Sequence, residues 1–484
     1  MSGTYCCGVV PIVTPDEMRA IDAAAAEPTD VLIGRAGRAV ARQAVAMLGT
    51  TYGKRVAVIA GKGNNGADGR VAADLLRRRG VAVTMLDPLD PPWRLPVHDL
   101  VIDAAYGTGF RGTWSPPDVG ETPVLAVDIP SGVDALTGAV AGDVLAATRT
   151  VTFAAYKPGL LIGPGAQLAG EVVVADIGLR ADHVRAHLVT ADDVAGWWPR
   201  RSYDSHKWSS ALRIIAGSPP MTGAAALASL AAMRAGCGIV HLSIPGLVSP
   251  VMPTEVVQVY LPPDDWADEA AGSLRRFGAV ALGPGMGRDD LIGEQIRRFV
   301  GQADLPMVID GDGLFALGWN ADSAATTLRR RSAPTVLTPH DGEYVLLAGR
   351  QVGADRVVAA RRLAADTGSV VLLKGAATVV ASPTGDVLVT TTGDSRLATA
   401  GTGDVLTGII GSLLARRVPA LQAAAVGAWI HGIAGRYCPP YGAVASDVAA
   451  AIPVVLSDLL GRSATAAGQS VADSSPPEPN RGGR

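Results

Sequence analysis

The sequence predicts an α/β protein of two domains, each built on a mainly parallel sheet. Three observations lead there. Short apolar strand-like runs alternate with helix-like runs along most of the chain, the rhythm of βαβ units. Two glycine-rich strand-to-helix turns, at 61–66 and 400–404, stand far apart, one in each half. With 484 residues, 48% hydrophobic and 18% charged, the chain is long enough for two or three domains that each bury a core.

In the first half, residues 16–26 and 35–48 read as helices. Residues 55–60 form a short apolar strand, the glycine loop follows, and a helix is expected over 68–79 and a strand over 81–86. Two further strands, 100–103 and 124–128, end at Asp103 and Asp128, and a third strand end carries Phe153 and then Lys157. Ligands of open α/β sheets bind at such strand ends. Residues 181–210, with Trp197 and Trp198, break the rhythm and read as an interdomain connection. A second series opens with strand 212–216, helix 223–235 and strand 239–244. Strands 279–282, 307–309, 335–337, 370–374, 378–381 and 387–390 follow, the last two joined by the turn Pro383-Thr384-Gly385-Asp386. The last helix is expected to end near Leu460. Domains are therefore set at 1–195 and 202–460, and residues 461–484, rich in Ser, Pro and Gly, read as a disordered tail.

Composition excludes several classes. The net charge of −3 gives no electrostatic reason for a nucleic-acid or membrane partner. The four cysteines, Cys6, Cys7, Cys237 and Cys438, form no CxxC pair and suit a reducing, cytoplasmic compartment. No basic segment precedes the short apolar stretch at the N-terminus, so no signal peptide is read there, and no apolar run reaches membrane-span length. Only 5 lysines stand against 37 arginines, which singles out each lysine beside a glycine turn.

Ala400-Gly401-Thr402-Gly403-Asp404 runs straight into an apolar helix. Free N–H groups at a helix start, with the positive end of the helix dipole, suit a phosphoryl group. A carboxylate inside that cradle is useful as the base that takes a proton from a bound hydroxyl. Its bland alternative is a glycine turn with an acidic cap. Upstream, Gly61-Lys62-Gly63-Asn64-Asn65-Gly66 matches GxGxxG between strand and helix, with Asp87 about twenty residues on. An NAD-dependent dehydrogenase is the first thought. It does not account for Asn64, Asn65 and Asp68, and no catalytic His or Tyr-Lys arrangement accompanies the loop. Asp103 opens a second glycine-rich loop through Gly107, Gly109 and Gly112, and Asp128 opens Asp128-Ile129-Pro130-Ser131-Gly132. Each carboxylate alone could be a turn or cap residue; four such loops at successive strand ends argue for one polar site.

The set GxGNNGxDG, DAxxGTGxxG and DIPSGxDA resembles the NAD(P)H-hydrate epimerase family over roughly 11–178. The resemblance implies a Rossmann-like three-layer α/β/α domain. It implies that Asn64, Asn65, Gly66, Ala67 and Asp68, with Gly107, Thr108, Gly109, Phe110, Arg111, Gly112 and Thr113, embrace the hydrated dinucleotide. Asn65, Asp103 and Ser131 would hold K+, and Asp128 would contact substrate as the acid or base. Ala67 stands where a third glycine is usual, and Arg35 where an asparagine is common.

The later motifs are Ser205-His206-Lys207, Thr222-Gly223-Ala224-Ala225, Gly283-Pro284-Gly285-Met286-Gly287, Thr338-Pro339-His340-Asp341-Gly342-Glu343, Lys374-Gly375-Ala376-Ala377-Thr378 and the 400–404 turn. Physically they supply the parts of a phosphoryl-transfer site. His340 alone reads first as structural, and Lys374 alone could be a solvated turn lysine. In this order, over roughly 202–460, they resemble the ADP-dependent NAD(P)H-hydrate dehydratases, with a ribokinase-like α/β fold. The resemblance implies that Lys374, Gly375, Ala376, Ala377, Thr378 and Gly403 bind ADP, with Mg2+. Ala225, Gly285, His340 and Asp404 would face the hydrate. Trp208, Met221 and Asp310-Gly311-Asp312-Gly313 depart from the usual pattern.

Together the halves imply a two-activity repair of NADH and NADPH hydrates: R and S forms are interconverted, and the S form is dehydrated at the expense of ADP, giving AMP and phosphate. A homo-oligomer with small-molecule substrates only is expected. The alternatives are a ribokinase-type small-molecule kinase with a non-catalytic front domain, and a binding scaffold. The scaffold has no use for Asp128 or the Asn64-Asn65 pair.

Overall fold

The computed structural model describes residues 10–318 and 321–472. It divides into two compact units. The N-terminal unit comprises Val10–Leu188 with Gly353–Arg356, and the C-terminal unit contains Val189–Val352 and the chain from Val357 on.

Strands of the N-terminal unit are β1 (Val10–Ile12), β2 (Arg55–Ala60), β3 (Ala82–Leu86), β4 (Leu100–Ala104), β5 (Val124–Val127), β6 (Arg149–Phe153), β7 (Glu171–Ala175) and β8 (Ala186–Leu188). The order β3-β2-β4-β5-β6-β7 is parallel throughout, while β1 and β8 form an antiparallel pair. Strands β4 and β5 are wholly buried, as near-continuous apolar runs covered on both faces should be. One core packs helix Thr29–Leu48 through Ala36, Val40 and Ala44 against Val56, Val58, Ala72 and Leu76.

The helix expected from residue 68 begins at Asn64 and runs to Arg78. Gly66 therefore lies inside its first turn, where a Cβ would overlap the Gly61 carbonyl oxygen. The glycine lets the helix start press onto the loop before it, so the two asparagines sit at the helix start rather than in a preceding loop.

The C-terminal unit carries β9 (Ala211–Ile215), β10 (Ile239–Ser243), β11 (Val257–Gln258), β12 (Ala279–Leu282), β13 (Met307–Ile309), β14 (Thr335–Leu337), β15 (Val370–Leu373), β16 (Thr378–Ala381) and β17 (Val387–Thr390). Their order is β17-β16-β15-β14-β13-β12-β9-β10-β11. Pairing is parallel from β14–β15 through to β10–β11 and antiparallel for β15–β16 and β16–β17. Helix Thr402–Ala415 is buried along nearly its whole length, between helix Thr222–Arg234 and the central strands.

Two expectations change here. The supposed connection at 181–210 contains β8 and helix Ala191–Trp197, whose start is a reciprocal Thr190–Asp193 capping box. That helix belongs to the C-terminal core, where Val194 and Trp198 pack with Leu212 and Leu413, although the limit at 195 drawn from the sequence cuts through it. The last helix runs from Ala445 to Ala472, past the residue 461 at which the tail was set. Its alanine-rich end favours helix, and no proline lies between Gly461 and Pro476. Residues 473–484 of the tail, and Cys6 and Cys7, lie outside the described residues.

Candidate active sites

The ends of β4, β5 and β6 and the start of helix Asn64–Arg78 form a cleft of about 850 Å³ in the N-terminal unit. Asp128 follows β5 with a φ of +66°, and Ala154 follows β6 with a φ of +63°. Left-handed backbone costs an L-residue about 1–2 kcal/mol. Here it is pinned on both strands: Asp128 N–H donates to Val151 O at 2.7 Å and Ala154 N–H to Ala175 O at 3.1 Å. These matching kinks at neighbouring strand ends bring Lys157 onto Asp128.

Lys157 Nζ is 2.6 Å from Asp128 Oδ1, 2.8 Å from Thr152 Oγ1 and 3.1 Å from the Phe153 carbonyl oxygen. The lysine side chain is 1% exposed. Thr152 Oγ1 also donates to Asp128 Oδ1, at 3.1 Å. Asp68, on the helix, lines the same cleft and is 6% exposed. Burial, with the Asp128 carboxylate adding to it, pushes Asp68 up to about 8. Asp22, from helix Pro15–Ala23, is also raised, by burial first, against the pull of Lys157.

Beneath the cleft, Asp103 is fully buried and receives the Ser131 hydroxyl at 2.6 Å and the Ser131 amide at 2.9 Å. Burial raises its pKa against those bonds. Asn65 Nδ2 donates to Tyr106 O at 2.9 Å, while Asn65 Oδ1 is buried without any hydrogen-bond partner. Tyr106 O also lies 3.1 Å from the Ser131 hydroxyl, so the orphaned acceptor, that hydroxyl and the Asp103 carboxylate belong to one hydrogen-bonded cluster, with the oxygen types a hard cation takes.

Of the residues named from sequence, Asn64, Asn65, Asp68, Gly107, Thr108, Gly109, Phe110, Arg111 and Asp128 line the cleft. Gly66 and Ala67 do not reach its wall, and Gly112 and Thr113 are exposed outside it. Asp87, the carboxylate of the dehydrogenase reading, accepts the Leu89 amide in its own turn and is absent from the wall.

In the C-terminal unit, Gly401 caps helix Thr402–Ala415 with a φ of +91°. A Cβ there would meet Leu227 Cδ1 at 2.5 Å, so both backbone and space demand glycine. Asp404 sits in the helix's first turn. Burial first, then Asp310, against Lys374, pushes it up to about 7. Behind it lies a closed network. Asp310 Oδ1 accepts from Lys374 Nζ at 2.7 Å and Thr338 Oγ1 at 2.8 Å, and Asp310 Oδ2 accepts from Thr407 Oγ1 at 3.0 Å. Glu343 Oε2 lies 3.7 Å from Lys374 Nζ. Burial pulls Lys374 down, but the carboxylates of Asp310 and Glu343 outweigh it and its pKa is raised.

Gly403 joins this network: a Cβ on it would lie 3.4 Å from Asp310 Oδ2 and 3.6 Å from Lys374 Nζ. Gly375, Ala376 and Ala377 form the β15–β16 hairpin that Lys374 opens and Thr378 closes. Gly285 packs on Ala224 and Met221, next to the buried Ala225. His340 is foremost a helix cap. Its Nδ1 accepts the Gly342 and Glu343 amides at 3.0 and 3.2 Å, and its own amide donates to Glu343. Lys157 was legible only as a strand-end lysine, Asp310 and Glu343 only as members of longer motifs, and Asp22 and Thr407 gave no signal of a role in the site.

The NAD(P)H-hydrate dehydratase family model matches residues 212–452, and the model described as YjeF-related protein N-terminus matches 29–95 and 87–159. The bifunctional NAD(P)H-hydrate repair enzyme of Moorella thermoacetica is 34% identical over 93% of this chain and 97% of its own length. This chain belongs to the bifunctional NAD(P)H-hydrate repair enzyme family. The member from Mycobacterium tuberculosis strain H37Rv is 37% identical over 77% of this chain and 82% of its own. Among solved structures, the ADP/ATP-dependent NAD(P)H-hydrate dehydratase of Bacillus subtilis, co-crystallised with ATP and Mg2+, is 30% identical. It covers 56% of this chain and 97% of its own, with a TM-score of 0.48. As a repair-family member, the chain carries the two family regions in the order epimerase-like, then dehydratase. Among the described residues no helix is long and apolar enough to cross a membrane.

Proposed function

We propose that the chain repairs hydrated NADH and NADPH in two steps at two sites, and that small-molecule substrates are its partners. The N-terminal cleft interconverts the R and S hydrates, and the C-terminal site dehydrates the S form using ADP. The observation that carries the second half is Asp404: a half-buried carboxylate with its pKa pushed up to about 7, in the first turn of a helix whose Gly401 start suits a phosphoryl group.

Hydroxide is a poor leaving group and phosphate a good one. Asp404 takes the proton of the substrate hydroxyl as that oxygen attacks the terminal phosphorus of ADP, and AMP departs. The amides at Gly401 and Gly403 hold the transferred phosphoryl group, the Thr402 amide being turned to the Thr399 carbonyl. The C–O bond to phosphate then breaks, the adjacent ring carbon releases a proton, and the ring double bond returns. Lys374 supports the nucleotide side while tethered to Asp310. Mg2+ accompanies the nucleotide phosphates; among the described residues Asp310 is already engaged by Lys374, Thr338 and Thr407. In the N-terminal unit, Asn65 Oδ1, Asp103 and Ser131 would hold K+, which supplies positive charge under the loop that carries Tyr106 and Gly107.

The test follows the near-ultraviolet absorbance of reduced nicotinamide when the protein meets mixed R and S NADPH hydrate, with or without ADP. Full, ADP-dependent recovery is expected. Recovery of the S fraction alone, beyond spontaneous exchange, would leave the N-terminal unit a binding module. No recovery with either ADP or ATP would favour a ribokinase-type kinase of another hydroxyl compound.

A further inference from the structure

Of the three carboxylates that line the N-terminal cleft, Asp68 and Asp128 stand in opposite surroundings. Asp128 is bound to the Lys157 ammonium at 2.6 Å and to the Thr152 hydroxyl at 3.1 Å. The carboxylate of Asp68, a residue 6% exposed, has no hydrogen-bond or ion-pair partner among the described residues. Other charged side chains on the wall are Arg19 and Asp22 from the first helix, Lys62 before the second site helix, and Arg111 from the loop after β4. Asp68 feels burial and Asp128, and its pKa is pushed up to about 8, so at neutral pH it still holds its proton. A pair of carboxylates whose environments differ this way divides the roles of acid and base.

We infer that Asp68 is the proton donor of the epimerisation and that Asp128, positioned by Lys157, is the complementary proton acceptor. This rests on the epimerase reading of the cleft. Hydration of an enamine places the new hydroxyl on the carbon bonded to the ring nitrogen. Asp68 gives its proton to that hydroxyl oxygen, and the C–O bond breaks with its electron pair leaving on water. The nitrogen lone pair forms the C=N bond of a cationic ring. Water adds to the opposite face, Asp128 takes the proton it sheds, and the nitrogen recovers its lone pair. No oxidant or reductant is needed, and exchange with solvent takes the proton from Asp128 and returns one to Asp68 before the next turnover. The reverse epimerisation runs through the same groups with acid and base exchanged. Lys157 touches Asp128 rather than the reacting carbon, so it is a positioning residue.

The experiment measures epimerisation of single-epimer NADPH hydrate, above the spontaneous rate, in wild type and in Asp68→Asn, Asp68→Glu and Lys157→Met. Asp68→Asn is expected to lose about 100-fold in kcat with little change in KM. Asp68→Glu should restore part of that loss. The wild-type rate should fall as pH rises through about 8, and that limb should vanish in Asp68→Asn. Lys157→Met should lower kcat while KM holds, a split that a merely structural lysine would not give. An unchanged rate in Asp68→Asn, or a wild-type profile without a limb near that pH, would overturn the assignment. A wild-type protein with no epimerase activity would instead overturn the epimerase reading, and this one with it.

Discussion

Lys374 Nζ lies 2.7 Å from Asp310 Oδ1, which ties the hairpin between β15 and β16 to the end of β13 directly beneath Gly403. Asp310 spends its other lone pairs on Thr338 and Thr407, and Lys374 also faces Glu343. Removing the ammonium leaves two buried carboxylates without their cation. Lys374→Met should therefore cost about 3 kcal/mol of stability, the low end for breaking a buried pair. It should also abolish dehydration while leaving epimerisation in place. Urea denaturation of both proteins, with each activity assayed separately, checks this.

Asp404→Asn should lower ADP-dependent dehydration by about 100-fold or more and spare epimerisation, because Asp404 and Asp128 belong to separate units. A folded variant that loses both activities would refute that separation. The wild-type pH dependence follows with a definite sign. A base with its pKa raised to about 7 works only once it has lost its proton, so dehydration should rise with pH through that value.

Asp128→Ala should reverse the pattern. The S hydrate remains repairable, and the R hydrate is consumed only as fast as it converts without the enzyme. Feeding the pure R form with ADP measures this, and an unaltered rate would remove Asp128 from its role.

Potassium should matter to the N-terminal unit alone. Exchanging K+ for a bulky organic cation should slow epimerisation and lower the thermal midpoint, and Asn65→Ala, which deletes the orphaned Oδ1, should make both insensitive to the exchange. Calorimetry across a K+ titration tests it.

Gly401→Ala places a methyl 2.5 Å from Leu227 Cδ1 in left-handed backbone. A loss of about 1–3 kcal/mol is expected, together with weaker nucleotide binding, because the amides after it shift. Thermal unfolding and ADP titration read the two effects separately.

Much of the site was legible beforehand because it is local. Asn64, Asn65, Asp68 and the loop from Gly107 occupy the end of one strand or the start of one helix, and GTGD at 401–404 is one contiguous cradle. What escaped was non-local. Asp310 and Lys374 are 64 positions apart, and Asp128 and Lys157 are 29 apart. No spacing rule joins such pairs.

By itself, the sequence determined the α/β alternation, the strand ends that carry carboxylates and the glycine turns, since these rest on near-neighbour backbone chemistry. Only the tertiary structure decided which carboxylates are paired and which are not. Burial and a cation at 2.6 Å are properties of the packed sheet, where kinked strand ends hold Lys157 against Asp128 and leave Asp68 without a partner.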